Sequence, residues 1–584
     1  MQDMKRIKDP VYGYIEISRA FVDQVVDTPL FQRLRRIVQT SYCSLYPSAS
    51  HTRFAHSLGV YFLGDVAARC IEKHSLDSLC CEEGLEIGLV KRRCKRYLDV
   101  FRIACLLHDI GHAPFSHTGE KYFARGEDKN GCECAVDLVA LLCKALRADG
   151  VFCQELTRHK PASAEHEIMS AMIGVAKFKL LKTRFEKEFF ARAITGYQYD
   201  EIARQCIKNG DGVNLSFLNC LIQLLNSSVV DVDRLDYVIR DAKVIGFESV
   251  SLDYRRLLGG LRIVRRDEEC RVVYNKQAVG ILENVVFAHD AEKKWVQNHP
   301  AIGYEMNLLS HAMDDVRRVY AKDLFCQRAL MEEGMEVKGV RVRLLADDDL
   351  IFLMKNVNPP TADIRKYFDR GLRERALWKS EAEFEALFND KDWSVNDQQA
   401  LQVLFDCQLS ALEKNSSNGR RIDGAAIQFL KADVAAAKES AGICDIKVKA
   451  ASEVIVQRKN LMLSLALVFE EFARKHAMGC DFLIQKGNPF KSGFAKADLG
   501  DTLIQLSVLG DPVELRAVTQ VLNRDKSNRA LGVFYVFCRR DCGMKETWAA
   551  DLVSELKLFV ARHSTDIRKH FRREIEALVE KTGL

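Results

Sequence analysis

The chain has 584 residues, enough for two to four domains of ordinary size or for one large catalytic unit with an appended lobe. Its composition, 48% apolar and 29% charged with ten prolines, favours a soluble, mainly helical protein with a sizeable core. The formal net charge of +5 is small for this length, so overall charge identifies no partner.

Local clusters of basic residues could bind phosphates, but solvated helix faces are the better explanation of any one cluster. No other feature supports a nucleic-acid partner. The clusters lie at residues 91–96, 255–256, 265–266, 420–421 and 568–573.

The nineteen cysteines are scattered along the chain with no signal peptide ahead of them, which argues against a secreted disulfide framework. Cys132 and Cys134 form a CxC, and Cys80 adjoins Cys81, but the repeated CxxC of a structural zinc site is missing. No apolar run approaches the roughly 20 residues that cross a bilayer. We therefore expect a cytoplasmic protein in a reducing compartment, with no membrane partner.

The first predicted elements are a turn at residues 9–13 and a helical stretch over 18–35. A further helix is predicted over 52–73, where apolar residues recur at helical spacing. On that helix Arg53 and His56 lie three positions apart and share one face.

Three more helices are predicted by apolar patterning, over residues 98–110, 165–173 and 218–241. The first is buried and carries polar residues into the interior at its end. The last is predicted as one long helix with Asp233, Tyr237 and Asp241 on one face, since they are spaced at i, i+4 and i+8.

A short hairpin is predicted by alternating apolar residues at 261–264 and 271–274. Further along, breaks are predicted at 356–361 and 415–424, a buried strand at 531–537 and an amphipathic helix at the C-terminal end. The predicted fold class is mainly α with small β elements: a core over residues 1–320 and a mixed, mostly helical lobe over 321–584.

The strongest chemical signal is the segment that begins at His108 and Asp109. A His-Asp pair alone means little, since His289 and Asp290 form a second one. The first pair opens into the sequence HDIGHAPFSH, with three histidines and a carboxylate in residues 108–117. Buried without partners, such groups would cost several kcal/mol, on the order of 2–7 kcal/mol each.

A divalent cation would satisfy these groups. Imidazole and carboxylate ligands suit Mn, Fe, Co, Ni or Zn, and also Mg where water or phosphate completes the shell. The alternative is a histidine cluster held by internal hydrogen bonds.

Four segments, at residues 9–35, 50–59, 108–117 and 231–241, occur in the order and at the spacing of a known family. Over about residues 5–290 the chain resembles the HD-superfamily dNTP triphosphohydrolases, which include the sterile-alpha-motif-and-HD-domain enzyme and bacterial dGTPase-like enzymes. The resemblance implies an HD-domain helical fold and hydrolysis of a dNTP to deoxynucleoside and inorganic triphosphate. A role in depleting dNTPs, including antiviral or antiphage defence, is also implied.

The resemblance further implies that His56, His108, Asp109 and Asp233 are the ligands of a divalent metal ion, for which Mn, Mg, Fe and Zn are all candidates. Taken alone, His56 would be interpreted as a core histidine.

For catalysis the resemblance implies a proton donor to the departing 5′-oxygen at His112 or His117, supported by Glu120 and His166. We favour His117 as the acid. His166 could instead be an exposed helix histidine.

Substrate contacts are implied at five positions. Arg53 corresponds to a phosphate contact, which suits its forked guanidinium, and Gln39 to a sugar contact. Arg234, Tyr237 and Asp241 correspond to contacts with the triphosphate and sugar. Tyr237 could instead be a core residue.

An allosteric nucleotide site between subunits is also implied. Asp27, Gln32 and Arg35 resemble a triad that reads guanine, and Arg256 resembles an arginine that binds the activator phosphates. A GTP or dNTP activator and a homo-oligomer, dimer or tetramer, would follow. The alternative is that this segment only builds the fold.

The chain departs from the family at two positions. The family has an arginine that contacts phosphate and a tyrosine whose ring lies beneath the deoxyribose, and His289 and Gln297 stand at the matching positions here. Discrimination against ribonucleotides depends on that tyrosine in the family. Two alternatives therefore stay open: an HD phosphohydrolase acting on another nucleotide or nucleic-acid phosphate ester, and a catalytically silent nucleotide-binding regulator.

Overall fold

The structure is a computed structural model that describes residues 3–40, 43, 45–76, 87–127, 133–146, 151–158, 164–201, 203, 213–227, 230–247, 250–266, 269–321, 323–388, 393–413, 420–443, 446–487, 492–493, 497–507, 510–519, 533–539, 545 and 547–582.

The chain divides into two compact units that alternate along the sequence. The first comprises Met1–Glu292, Ala312–Pro360 and Ser492–Lys526, and the second comprises Lys293–His311, Thr361–Lys491 and Ser527–Leu584. These segments do not follow the single boundary at residue 320 that the sequence suggested. A catalytic role with an N-terminal allosteric segment for residues 1–320, and an oligomerisation or regulatory role for residues 321–584, stay predictions.

The described residues are mainly helical, as the composition predicted. The α-helices are α1 (Arg19–Phe21), α2 (Pro29–Arg33), α3 (Arg53–His74), α4 (Ile87–Leu107), α5 (His117–Glu120), α6 (Leu138–Leu146), α7 (Val151–Arg158), α8 (Glu165–Lys177), α9 (Arg184–Thr195), α10 (Leu215–Leu225), α11 (Val232–Ile245), α12 (Tyr254–Gly259), α13 (Val279–Glu292), α14 (Pro300–Val319), α15 (Asp347–Lys355), α16 (Ala362–Phe368), α17 (Glu381–Phe388), α18 (Val395–Glu413), α19 (Gly424–Ile443), α20 (Ile446–Lys475), α21 (Ala497–Gly500), α22 (Leu515–Val518), α23 (Trp548–His570) and α24 (Arg572–Thr582).

The β-structure is confined to short strands. They are β1 (Met4–Asp9), β2 (Gly13–Ser18), β3 (Arg125–Glu127), β4 (Glu133–Ala135), β5 (Leu261–Arg266), β6 (Glu269–Asn275), β7 (Met335–Val337), β8 (Val340–Val342), β9 (Arg375–Ala376), β10 (Arg421–Asp423), β11 (Asp481–Lys486), β12 (Leu503–Gln505), β13 (Val513–Glu514) and β14 (Phe534–Cys538).

The helices predicted over 52–73 and 165–173 correspond to α3 and α8, and the one predicted over 98–110 corresponds to α4, which begins earlier, at Ile87. The stretch over 18–35 is helical but broken into α1, a π-helical turn and α2.

The single helix predicted over residues 218–241 is wrong. The chain forms two helices there, because α10 ends at Leu225 and α11 begins at Val232. The Asp231 side chain accepts a hydrogen bond from the backbone N–H of Arg234 and so starts α11 as an N-cap. Gly246, with φ of 75°, ends that helix in the left-handed conformation.

The predicted hairpin is confirmed as β5 and β6, in which Ile263 pairs with Val272. Strands β12 and β13 extend it to a four-stranded sheet in the order β13-β12-β6-β5, with β12 parallel to β6. The predicted turn at residues 9–13 joins β1 to β2, which pair as an antiparallel hairpin.

The second unit contains a sheet in the order β10-β11-β14-β9. The strand predicted over 531–537 corresponds to β14, although residues 531 and 532 lie outside the described residues. The predicted break at 356–361 separates α15 from α16. Of the break predicted at 415–424, residues 415–419 lie outside the described residues, and residues 421–423 form β10. The C-terminal helix is two helices, α23 and α24, separated at Phe571.

Each unit has its own hydrophobic core. In the first unit α3 packs against α4 and α11, so the beginning of α3, the end of α4 and the beginning of α11 are close in space. This arrangement positions the site described below.

Two sequence expectations concern cysteines and membranes. The cysteines whose side chains the structure describes are free thiols, while Cys80, Cys81, Cys132 and the side chain of Cys134 lie outside the described part of the chain. Within that part, every helix is too short or too polar to span a bilayer.

Candidate metal and catalytic site

Three helices bring four polar side chains to one point in the first unit. His56 lies in the first turn of α3, His108 and Asp109 directly follow α4, and Asp233 lies in the first turn of α11. The side chains of the first three are buried, whereas that of Asp233 is 40% exposed. The position of Asp233 leaves the cluster open on one side.

The facing atoms of this cluster are close together. His56 Nε2 lies 2.9 Å from Asp233 Oδ1, 3.2 Å from His108 Nε2 and 3.5 Å from Asp109 Oδ2. His108 Nε2 lies 3.4 Å from Asp109 Oδ1 and 3.6 Å from Asp233 Oδ1. The structure thus brings together all four residues that the sequence suggested as metal ligands.

The hydrogen-bond partners of the His56 and His108 rings leave Nε2 of each ring facing the cluster. His108 Nδ1 lies 2.9 Å from the carbonyl oxygen of Cys105, which can only accept, so this nitrogen carries the proton and Nε2 keeps its lone pair. Nδ1 of His56 likewise faces a carboxylate oxygen of Asp236 at 2.7 Å. Two imidazole nitrogens and two carboxylates, each turned toward one point, are a donor set suited to a divalent transition metal.

The charge balance of the cluster also favours a cation. Burial lowers the pKa of His56, but the Asp233 and Asp236 carboxylates outweigh it and raise the pKa to about 10. Burial opposes ionisation of Asp109, yet the neighbouring Arg53 guanidinium and histidines hold its pKa well below the usual range. The site therefore attracts positive charge, which a divalent cation would supply in place of a proton.

A second cluster of titratable side chains surrounds Glu120, in α5. Glu120 Oε1 lies 2.7 Å from His117 Nδ1 and 3.3 Å from His112 Nδ1, and its Oε2 lies 3.0 Å from His166 Nδ1. The rings of His112 and His166 stack with centroids 4.0 Å apart. The four residues suggested as catalytic therefore form one group.

The three histidines of this cluster differ in environment. Burial and the positive charges of Arg53 and His166 lower the pKa of His112 to about 3, which leaves it neutral. Burial also lowers the pKa of His166, but the hydrogen bond to Glu120 raises it above its ordinary value. The His117 side chain is 60% exposed, so it is the ring open to a ligand.

The loop between α4 and α5, which carries the histidines, is conformationally strained. Phe115 and Ser116 have positive φ angles of 55° and 53°, each costing on the order of 1–3 kcal/mol. The carboxylate of Asp347, at the start of α15, holds the loop by accepting from the backbone N–H of Phe115 at 2.6 Å and of Val38 at 2.9 Å.

Arg53 joins the first cluster, that of His56, His108, Asp109 and Asp233, to this loop. Its guanidinium donates to Asp109 Oδ2 at 2.8 Å, to Ser116 Oγ at 3.0 Å and to the carbonyl of Gln39 at 3.2 Å. It is buried. The phosphate contact suggested for Arg53 stays a prediction.

The other suggested substrate residues lie around the same cluster. Gln39 is buried, and its backbone N–H donates to the carbonyl of His51. Arg234 and Tyr237 are half-buried on α11. Asp241 is buried, with Oδ1 2.6 Å from His51 Nε2.

The suggested allosteric residues lie on or near α2 and on α12. The Asp27 carboxylate lies 3.6 Å from Lys5 Nζ. Arg35 donates to Gln32 Oε1 at 2.8 Å and its guanidinium covers the ring of Phe54. Arg256 is exposed on α12. The structure does not test whether these four form one site.

The second His-Asp pair has a different environment. Asp290 accepts hydrogen bonds from Ser492 Oγ at 2.5 Å and from the Gly493 N–H at 2.8 Å. The His289 ring lies 6.4 Å from that of Tyr237. Among the described residues this pair belongs to no group of potential metal ligands.

Sequence reasoning missed four residues of this site. Asp236 contacts His56, His51 contacts Asp241, and Asp347 holds the histidine loop. Arg33 is buried and donates to the carbonyls of Ile110, His112 and Leu345. The spacing of Asp236, three residues after Asp233 and four before Arg240, offered a signal for the first of these.

Comparisons with known proteins agree with the geometry. The family model described as the HD domain matches residues 53–167, which hold His56, His108, Asp109 and the whole second cluster. Deoxynucleoside triphosphate triphosphohydrolase SAMHD1 of Homo sapiens is 30% identical over 302 residues, 51% of this chain and 42% of that protein. The same enzyme of Bos taurus is 29% identical over 304 residues, 51% of this chain and 45% of that protein.

An uncharacterised protein of Mycoplasma genitalium, MG461, is 26% identical over 305 residues, 52% of this chain and 58% of that protein. The chain thus spans about half the length of the curated relatives it matches. A crystal structure of a hypothetical protein from Aquifex aeolicus covers 95% of this chain and 100% of its own, at a TM-score of 0.49 and 17% identity, a likeness too low to bear on function. Residues 53–167 thus match the HD domain, and about half of the chain is similar in sequence to the deoxynucleoside triphosphate triphosphohydrolases.

Proposed function

We propose that the chain is a metal-dependent phosphohydrolase that converts deoxynucleoside triphosphates to deoxynucleoside and inorganic triphosphate. The observation that carries the proposal is the contact between the two clusters, since His112 Nε2 lies 3.1 Å from Asp109 Oδ1. The proposed metal ligands thus adjoin the side chains proposed to carry protons, an arrangement suited to hydrolysis of a phosphate ester. The substrate class is supported by the named SAMHD1 relatives.

His56, His108, Asp109 and Asp233 would hold the metal ion, and manganese, magnesium, iron and zinc all remain candidates for it. A bound divalent cation supplies an activated water and neutralises charge on a phosphate oxygen. The 40% exposure of the Asp233 side chain marks the side from which a phosphate can approach.

His117 is the best candidate for the acid that protonates the departing 5′-oxygen. Its ring is 60% exposed, and the Glu120 carboxylate at 2.7 Å from Nδ1 leaves Nε2 for the substrate. His112 is fully buried and its pKa of about 3 keeps it neutral, so it cannot deliver a proton at neutral pH. His166 shares Glu120 with His117 and would help to orient that carboxylate.

The remaining assignments complete the proposed substrate site. Arg53 and Arg234 would contact phosphate oxygens, since a guanidinium offers forked donors to them. Gln39, Tyr237 and Asp241 would contact the sugar.

We also propose that a nucleotide regulates the enzyme. Asp27, Gln32, Arg35 and Arg256 would bind a GTP or dNTP activator at an interface of a homo-oligomer. Depletion of dNTPs, as in antiviral or antiphage defence, is the biological role consistent with such an activity.

A product assay tests the proposal. The purified chain is incubated with each dNTP and Mn²⁺ or Mg²⁺, alone and with GTP or a second dNTP as activator, and the products are separated. We expect deoxynucleoside and triphosphate from the wild-type chain and none from Asp109→Ala. Release of orthophosphate or pyrophosphate instead would exclude the proposed reaction.

A second candidate is hydrolysis of another phosphate ester. It is favoured by His289 and Gln297, which stand where the family has the arginine and the tyrosine beneath the deoxyribose. Ribonucleotides, cyclic nucleotides and phosphorylated nucleic-acid ends in the same assay would reveal it. Tight nucleotide binding without turnover, with Asp109→Ala changing only affinity, would instead indicate a regulator.

A further inference from the structure

We propose that Asp236 is a positioning residue for the metal ligand His56, and that Arg240 and Asp9 in turn hold Asp236 in place. This inference rests on the proposed metal centre and extends it to three residues that bind neither metal nor substrate. The contacts of Asp236, Arg240, Asp9 and Gly59 support it.

Asp236 contacts His56 directly. Asp236 Oδ2 lies 2.7 Å from His56 Nδ1, and both side chains are at most 1% exposed. An ionised carboxylate only accepts, so it fixes the proton on Nδ1 and leaves the lone pair of Nε2 for the metal. A carboxylate in this position also makes the imidazole a more basic ligand.

Asp236 is held in place by Arg240. Arg240, one turn later on α11, donates from Nε to Oδ2 at 2.9 Å and from Nη2 to Oδ1 at 3.0 Å. This forked contact fixes the plane of the carboxylate and hence the direction from which it meets His56. The contact also pairs the buried carboxylate with a positive charge, which suits its role as acceptor toward His56 Nδ1.

Arg240 is in turn held by Asp9. Its Nη1 donates to Asp9 Oδ2 at 2.9 Å, and both side chains are buried. Asp9 Oδ1 accepts from the backbone N–H groups of Val11 and Tyr12 at 2.8 and 3.0 Å. A continuous chain of contacts therefore runs from His56 to the turn between β1 and β2.

Helix α3 packs closely on these contacts at Gly59. Gly59 lies one turn after His56, and a Cβ at Gly59 would stand 1.9 Å from Asp236 Oδ1 and 2.4 Å from Arg240 Nη2. Any side chain at this position would displace the carboxylate. Gly59 thus allows the approach of Asp236 and offers a way to disturb it without removing a functional group.

The experiment measures the affinity of the full-length chain for Mn²⁺ by competition with a chelator. We expect Asp236→Asn and Gly59→Ala to weaken binding about 10- to 100-fold, the usual effect of losing such a partner. Gly280→Ala is the matched control, because a Cβ on this helical glycine meets nothing within 4 Å. Its affinity for Mn²⁺ should equal that of the wild type.

A second readout separates positioning from general damage. Co²⁺ bound to the wild-type chain has a visible absorption spectrum set by its ligands, and we expect this spectrum to change in Asp236→Asn and Gly59→Ala but not in Gly280→Ala. Circular dichroism of the metal-free variants reports whether they fold. If Asp236→Asn does not fold, the result for Gly59→Ala decides.

Unchanged Mn²⁺ affinity and Co²⁺ spectrum in a folded Asp236→Asn or Gly59→Ala variant would overturn the inference, provided that Asp109→Ala loses the metal. If the wild-type chain binds no divalent cation at all, the proposed metal centre fails and this inference fails with it. The two failures are therefore distinguishable.

Discussion

Glu120 Oε1 lies 2.7 Å from His117 Nδ1, so a buried carboxylate holds the most exposed ring of the second cluster. The same carboxylate meets His112 and His166 within 3.3 Å. Burial opposes its ionisation, but hydrogen bonds from the three histidines hold the pKa of Glu120 well below its usual range. A charged Glu120 therefore gives the His117 ring a fixed partner at Nδ1.

We expect Glu120→Gln to lower kcat by roughly 10²- to 10⁴-fold, the range typical of acid–base residues. The neutral amide would orient His117 poorly, because the charged partner of its Nδ1 would be lost. Mn²⁺ affinity should stay close to that of the wild type, since Glu120 is not among the four proposed ligands. Glu16→Gln, on the exposed side of β2, is the control. An unchanged kcat in Glu120→Gln would contradict the proposed role.

The role of His117 as the acid predicts a rescue by the leaving group. We expect His117→Gln to hydrolyse normal dNTPs poorly, with kcat reduced by a similar roughly 10²- to 10⁴-fold. A dNTP analogue with sulfur in place of the bridging 5′-oxygen has a thiolate leaving group, which needs no proton because a thiol pKa is near 8.5. The variant and the wild type should hydrolyse that analogue at similar rates. If the defect is equally large for both substrates, His117 is not the acid.

The local parts of the fold were predictable from the sequence. The helix of His56 was placed within a residue or two, since its apolar spacing is set by residues three and four apart. The break between α10 and α11 was missed, although the N-cap at Asp231 marks it.

The partners of the site residues were not predictable, because they depend on distant contacts. Asp236 meets a histidine 180 positions away, and Asp347 meets Phe115 across 232 positions. No periodicity reports such a contact. The proposed metal ligands were suggested by a resemblance to a family. Asp236 and Arg240 lie in the same family-like segment as Asp233, but the segment alone does not show that they contact His56.

His51 offers a test of sugar recognition. Its Nε2 lies 2.6 Å from Asp241 Oδ1 and its carbonyl accepts from the Gln39 N–H at 2.9 Å, so His51 contacts two of the three residues proposed to bind the sugar. We expect His51→Ala to raise KM for a dNTP by on the order of tenfold, since a buried carboxylate loses its partner.

The diagnostic comparison for His51 uses 2′,3′-dideoxynucleotides. If His51 positions Asp241 for the 3′-hydroxyl, the preference for dNTP over dideoxy-NTP in kcat/KM should be large in the wild type and nearly lost in His51→Ala. General damage would reduce both substrates equally and leave the ratio unchanged, which would refute the role. His74→Ala, at the exposed end of α3, is the control.

The raised pKa of Asp347 should make the free energy of unfolding depend on pH. Burial raises its pKa to about 7, although two backbone N–H groups favour the charged form. The folded state therefore keeps a proton between about pH 4 and pH 7 that the unfolded state has released. Because the folded state binds more protons in this window, the free energy of unfolding should fall as the pH rises through it, at a rate of at most about 1.4 kcal/mol per pH unit.

Asp347→Asn removes this titration, so its free energy of unfolding should change less between pH 4.5 and pH 7.5 than that of the wild type. Urea unfolding at several pH values measures the slopes. Glu332→Gln, at an exposed position, is the control, because the charge of Asp348 itself raises the pKa of Asp347. Equal slopes in wild type and Asp347→Asn would show that Asp347 is ionised in the folded chain. In that case the strained histidine loop would be held by a charged carboxylate, and loss of that charge would destabilise it at neutral pH instead.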